Sequence, residues 1–216
     1  MSAELLKVSG ENPDPVVMRY AASFIRRGDL VAIPTDTYYG IAADPYNLAA
    51  VEQIYQVKGR PETRALPILV NSIAQALSLT RDVPYIFHKL ATKFWPGPLT
   101  LLVEASTGIP LKVTANTGNV AVRWPNSAVV SALIDLVKGP VTGTSGNISG
   151  LPACSSAMQL LEQMGDRLPL IIDSGETPGS LASTIVRLQG EEWEIMREGV
   201  ISEDAIRSAI EAQEAD

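Results

Sequence analysis

The chain of 216 residues is long enough to bury a substantial core, and its 46% hydrophobic and 19% charged residues are those of an ordinary globular protein. A formal net charge of −7 argues against sequence-independent binding to a nucleic-acid backbone, though a local basic patch stays possible. The single cysteine excludes an internal disulfide and fits a reducing compartment, one Cys and one His cannot hold zinc without carboxylates, and no apolar run is long enough to cross a bilayer.

Residues 1–10 carry neither a basic start nor an apolar stretch, so a soluble, cytoplasmic protein is expected. Residues 14–27 have the period of an amphipathic helix, with Val17, Tyr20, Ala21, Phe24 and Ile25 on one face and Gly28 to end it. A short buried strand follows at residues 30–34. Residues 48–57 read as a helix with Val51, Ile54 and Tyr55 inward, and residues 66–70 as a strand. Residues 85–95 read as a helix closed by Pro96-Gly97-Pro98. Strands are expected at 99–104 and 120–124, a helix at 127–138, extended chain at 141–144 and a helix at 155–164. Residues 168–173, 184–188 and 193–196 read as strands, and Ser202 caps a final helix with Ile206 and Ile210 buried. Strands interleaved with helices indicate an α/β domain, and the late strand–turn–strand indicates a mixed sheet. No repeat or linker divides the chain, so one domain over residues 1–216 is expected.

The polar residues that stand out lie where strands end. Thr35-Asp36-Thr37 is either a turn bonding its own backbone or a polar floor for a small substrate. Lys58-Gly59-Arg60-Pro61 ends a helix, where cations are favoured by its dipole, yet with Arg64 it also sets three cations on a Pro-stopped turn suited to a polyphosphate. The run from Thr142 to Gly150 is a hydroxyl- and glycine-rich turn that a ligand could approach closely, although no Walker A motif occurs. Arg123, flanked by apolar residues, needs an anion, either an internal carboxylate or a substrate's. Ser183-Thr184 and Arg197 are weak signals alone, His88 reads as a surface or packed residue, Cys154 as an incidental thiol, and Trp95 and Trp124 as packing or groove residues.

Taken together these segments resemble the YrdC-type threonylcarbamoyl-AMP synthase family. The matching pieces run in that family's order: Pro34-Thr35-Asp36-Thr37, Lys58-Gly59-Arg60-Pro61 and Trp95-Pro96-Gly97-Pro98-Leu99-Thr100. Val120-Ala121-Val122-Arg123, Thr144 through Gly150, Ser183-Thr184-Ile185-Val186 and Arg197-Glu198-Gly199 complete them. The resemblance implies a twisted mixed α/β sheet with flanking helices and a concave ligand groove. It implies the joining of ATP, L-threonine and bicarbonate into threonylcarbamoyl-adenylate and pyrophosphate, a nucleotidyl transfer that begins tRNA threonylcarbamoyladenosine synthesis. It further implies hand-over to a separate tRNA threonylcarbamoyl-transferase complex, with weak direct RNA contact at most and no membrane.

By that resemblance the Lys-x-Arg and Ser-x-Asn signature falls on Lys58, Arg60, Ser145 and Asn147 as nucleotide ligands, with Arg64, Asn119, Ala153 and Arg197 at further nucleotide positions. Threonine contacts fall on Thr35, Arg123, Gly143 and Ser183. Lys58 and Arg60 are the catalytic candidates, offsetting charge on departing pyrophosphate, and Mg²⁺ is expected with the triphosphate but without a protein metal site. No general base is apparent. Leu69 stands where some members have a histidine, Arg64 replaces a common Asn, Arg187 a common Asp, and Tyr38-Tyr39 varies the usual aliphatic–aromatic pair. Soon after Arg197 the chain ends, so the extra C-terminal domain of longer members is expected to be absent. Two other classes compete: a non-catalytic RNA-binding or ribosome-assembly protein, and a related carbamoyl-transferring or adenylate-forming enzyme using another amine. The intact signature and acidic balance weigh against the first.

Overall fold

In the computed structural model, which describes residues 2–212, strand β1 (Glu4–Lys7) leads into helix α1 (Pro15–Arg26) and strand β2 (Val31–Ile33). Then come β3 (Gly40–Ala42), α2 (Leu48–Lys58), β4 (Ile68–Leu69), α3 (Ile73–Ser78) and α4 (Tyr85–Phe94). The second half comprises β5 (Leu99–Glu104), β6 (Asn119–Arg123), α5 (Ala128–Val137), β7 (Val141–Thr142), β8 (Thr144–Ser145), α6 (Ala157–Met164) and β9 (Leu170–Asp173). A hairpin of β10 (Thr184–Gln189) and β11 (Glu192–Arg197) precedes α7 (Glu203–Glu211).

The mixed α/β architecture expected from the sequence is present, with its strands shared between two mixed sheets instead of gathered into one. One sheet runs β1-β9-β2-β3-β8 and the other β11-β10-β5-β6-β4-β7. Only Gly143 separates β7 from β8, and the chain changes sheet there: β7 pairs antiparallel with β4, β8 antiparallel with β3.

The inner strands β2, β3 and β9 of the five-stranded sheet are buried, and β2 and β9 read as short apolar runs. Val31, Ile33, Leu170 and Ile172 face the layer formed by α1 and α5, while Ala32 and Ile171 face the larger core. The six-stranded sheet has one core face. On β5, Leu99, Leu101 and Val103 are buried in it, and period-2 alternation turns Thr100 and Leu102 to the other side.

Local chemistry sets the helix ends. Asp14 Oδ1 accepts from Val16 N at 2.7 Å at the start of α1, and Asn47 Oδ1 accepts from Ala49 N at 3.1 Å at the start of α2. Gly59 closes α2 at φ 56°, a left-handed cap that glycine adopts without a Cβ penalty. Trp95, expected as the last residue of its helix, is extended, since the residue before a proline avoids the helical region. On α1 the buried stripe is Met18, Ala21, Ala22, Phe24 and Ile25. Tyr20, expected on that face, is 44% exposed, and its hydroxyl donates to Glu4 Oε2 at 2.9 Å, at the rim beside β1.

Candidate active site

A cavity of about 830 Å³ opens over the face of the six-stranded sheet opposite its core. The strand alternation that buries Val120 and Val122 turns Ala121 and Arg123 of β6 toward it, beside Thr100 and Leu102 of β5. Gly40, Thr144 and Ser145 from β3 and β8 form one wall, and the loop after α2 brings Arg60 and Arg64 to the rim. Ser183, Ile185 and Arg197 close the opposite side.

Arg123 anchors the floor. Its side chain is 8% exposed and donates from Nη2 to Asp36 Oδ1 at 2.5 Å, from Nη1 to Thr37 Oγ1 at 3.1 Å and from Nε to Gly97 O at 3.2 Å. Burial pulls its pKa down, and the Asp36 carboxylate opposes that shift. The internal carboxylate that the apolar surroundings demanded is therefore Asp36, and the same guanidinium, with five N–H donors to offer, still faces the cavity. Asp36 Oδ2 is buried without a hydrogen-bond partner.

Leu69 and Arg123 are register partners across β4 and β6, so the leucine side chain lies next to the guanidinium in the cavity wall. Gly143 packs against Leu69 so closely that a Cβ there would come within 2.8 Å of Leu69 Cδ1 and nearer still to Cγ and Cδ2. Thr35 Oγ1 donates to Tyr38 O at 2.6 Å and accepts from Thr37 N at 3.1 Å, so the turn that bonds its own backbone also lines the cavity. Ser183 Oγ lies 2.9 Å from Thr100 Oγ1 and accepts from Arg197 Nη2 at 2.9 Å. Arg60 donates from Nη2 to Ala65 O at 2.8 Å, which fixes the loop's curvature and holds the guanidinium at the rim.

Lys58 sits differently. It is 1% exposed and outside the cavity lining. Its ammonium donates to Ser145 O, to Asn147 O at 2.7 Å and to Asn147 Oδ1 at 3.2 Å. Burial pushes its pKa down to about 7, with repulsion from Arg60 adding to the shift. Asn147 is likewise turned inward: Oδ1 also accepts from Ser145 Oγ at 2.5 Å, and Nδ2 donates to Ile148 O and Leu151 O at 3.0 and 2.7 Å.

Thus Thr35, Arg60, Arg64, Arg123, Gly143, Ser145, Ser183 and Arg197 share one cavity, while Lys58 and Asn147 lie behind its wall. Asn119 has the same strand parity as Arg123 but lies at the far end of β6, where it lines a separate hollow with Asp82 and Arg187. Ala153 does not line the cavity; it precedes Cys154, whose N–H donates to Gly146 O at 3.3 Å. Leu102 was not named from the sequence, and Thr100 and Ile185 stood only inside matching segments without a site role; alternation along β5 and β10 turns all three to the cavity. Asp36, within a motif that was singled out, gains a specific role only from its pairing with Arg123. His88 is exposed and Cys154 buried. Among the described residues no group of three His, Cys, Asp or Glu side chains could hold a metal, and no helix is long and apolar enough to cross a membrane.

The chain is similar to known proteins over most of its length. A threonylcarbamoyl-AMP synthase of Pyrococcus abyssi is 38% identical over 195 residues, covering 89% of this chain and 57% of the relative. The chain thus spans just over half the length of that relative. A threonylcarbamoyl-AMP synthase of Vibrio parahaemolyticus is 30% identical over 177 residues, covering 81% of this chain and 95% of the relative. The crystal structure of P. abyssi Sua5 complexed with L-threonine superposes with a TM-score of 0.93 at 36% identity, over 97% of this chain and 61% of that one. The Sua5/YciO/YrdC family profile, described as "Telomere recombination", matches residues 23–199, and the chain belongs to that family.

Proposed function

We propose that this chain is an L-threonylcarbamoyladenylate synthase, a nucleotidyltransferase that joins ATP, L-threonine and bicarbonate and releases pyrophosphate. The observation that carries the reading is Arg123, a buried guanidinium backed by Asp36 on the floor of a cavity whose rim holds Arg60, Arg64 and Arg197. A carboxylate fits the floor and a triphosphate the rim, because a guanidinium fork matches carboxylate oxygens and several cations are needed to offset a polyphosphate. The P. abyssi relative solved with L-threonine supports an amino acid at the floor.

In this reading Arg123 holds the threonine carboxylate, while Thr35, Ser183 and the backbone at Gly143 surround its side chain and amine. The amine adds to bicarbonate-derived carbon dioxide and gives up a proton, forming a carbamate. A carbamate oxygen then attacks the α-phosphorus, and the bond to the β-phosphate oxygen breaks to release pyrophosphate. Arg60, Arg64, Ser145 and Arg197, which share the cavity, hold the nucleotide, and the site acts by orientation and charge neutralisation. Magnesium would accompany the triphosphate and offset part of its charge, and no step is assigned to it. The product passes to a tRNA threonylcarbamoyl-transferase complex in the cytoplasm. Incubation with ATP, threonine and bicarbonate, followed by measurement of pyrophosphate and of an acid-labile adenylate, tests the reading. Pyrophosphate release indifferent to threonine would sink it.

A further inference from the structure

Lys58 is the most deeply buried charge beside the cavity, and its surroundings have one distinctive property: three oxygens converge on its nitrogen. Two are main-chain carbonyls, of Ser145 and Asn147, and the third is Asn147 Oδ1. Three converging oxygens present their negative ends to one point, an arrangement that repels itself unless a cation fills it. An ammonium has three protons, and here each has an acceptor. No donor is left over for a ligand while these bonds stand, and at 1% exposure the group has no open path to one.

The far side of the same turn faces the cavity. Ser145 lines it, and its hydroxyl is oriented by donating to the very Asn147 Oδ1 that Lys58 holds. The turn is also tied at Gly146, whose N–H donates to Tyr39 O at 2.6 Å, and at Ser149, whose N–H donates to the carbonyl of Lys58 itself at 2.8 Å. Lys58 therefore grips the turn from two ends, with its side chain at Ser145 and Asn147 and its main chain at Ser149.

We infer that Lys58 is a positioning residue that never touches the nucleotide: its ammonium draws the 145–147 turn into the shape that presents Ser145 to the triphosphate. The inference rests on the proposed nucleotide site and deepens it, dividing the Lys-x-Arg pair into a strut and a ligand. Arg60 reaches the cavity; Lys58 shapes its wall. Replacing the ammonium with an apolar isostere leaves three acceptors converged in a dry place, and the turn must open to rehydrate them. An arginine keeps the charge but cannot aim three protons at one point from a planar fork.

The test uses the full-length chain with Lys58→Met, Lys58→Arg and Asn147→Ala, and Lys58→Met combined with Asn147→Ala. Hydrogen exchange in the nucleotide-free protein is read over residues 144–151 and over the loop at 60–64, and ATP affinity is read by calorimetry. Expected is faster exchange confined to 144–151 in both lysine variants. ATP affinity should fall at least tenfold in both, with the double variant no weaker than the worse single one. Lost affinity with unchanged exchange at 144–151 would overturn the inference in favour of direct phosphate contact, as would full rescue of affinity by arginine. Faster exchange with unchanged affinity would overturn it as well. Should Lys58→Met not fold, the arginine variant carries both readouts. The exchange measurement needs no nucleotide, so a wild-type chain that binds no ATP would refute the functional reading separately.

Discussion

Replacing Gly143 with alanine puts a methyl where Leu69 already is. The added Cβ would lie within 2.8 Å of Leu69 Cδ1 and closer to Cγ and Cδ2, and Leu69 is only 2% exposed between β6 and β7. Because Cγ and both methyls are in the way, no terminal rotation relieves the contact. Overpacking of this kind costs about 1–3 kcal/mol, against which the lost flexibility of the unfolded chain returns about 0.4–1 kcal/mol. A net destabilisation of roughly 1–2 kcal/mol is expected. The displaced leucine moves beside Arg123, so the threonine KM should rise with it. Leu69→Ala alone should cost about 2 kcal/mol, the low end for a buried leucine because its site borders a cavity that can accept water. In the double variant the methyl occupies the space the leucine vacated, so the two costs should not add, and a coupling of about 1–2 kcal/mol is expected. Urea unfolding of the four proteins measures this directly. Costs additive within about 0.5 kcal/mol would refute the claim that Gly143 is small because Leu69 is there.

Arg123→Lys should lower kcat/KM for threonine roughly 10- to 100-fold, the loss of one charge-assisted bond, while leaving ATP affinity near wild type; steady-state kinetics with each substrate varied decides it. Asp36→Asn leaves Arg123 buried without its counter-charge and should cost about 3–5 kcal/mol in denaturant unfolding. Valine should be rejected by a factor on the order of 10⁴ and serine by about 10–200, if a buried group reads the threonine hydroxyl; competitive turnover with the three amino acids measures the order.

Much of the architecture could be read from residue order because buried strands and capped helices announce themselves. The six residues of β5 match their expected span, and Ser202 caps α7 as expected, accepting from Ala205 N at 3.3 Å. Elements that carry little side-chain signal were missed. Gly40–Ala42 has only one large side chain, and Glu4–Lys7 is an edge strand with charges at both ends, so neither shows a strand's period. The candidate site was legible as a set of residues and not as an arrangement. Sequence order cannot tell that Lys58 points behind the wall and Arg60 through it, because the left-handed turn at Gly59 reverses the chain between them. Nor can it pair Asp36 with Arg123, which are 87 residues apart.

The edge strand β1 has a consequence for the folded chain's dealings with its own copies. It lies parallel to β9, covering the backbone edge of Leu170-Ile171-Ile172, with Glu4 and Lys7 exposed at its two ends. An uncovered β9 would offer unpaired N–H and C=O groups along an apolar segment, the usual template for edge-to-edge association between molecules. With β1 in place the sheet ends instead in a short strand bounded by opposite charges and held by the Tyr20 hydroxyl at Glu4. The sheet thus ends in four residues bounded by charge, the kind of edge that disfavours pairing with another molecule.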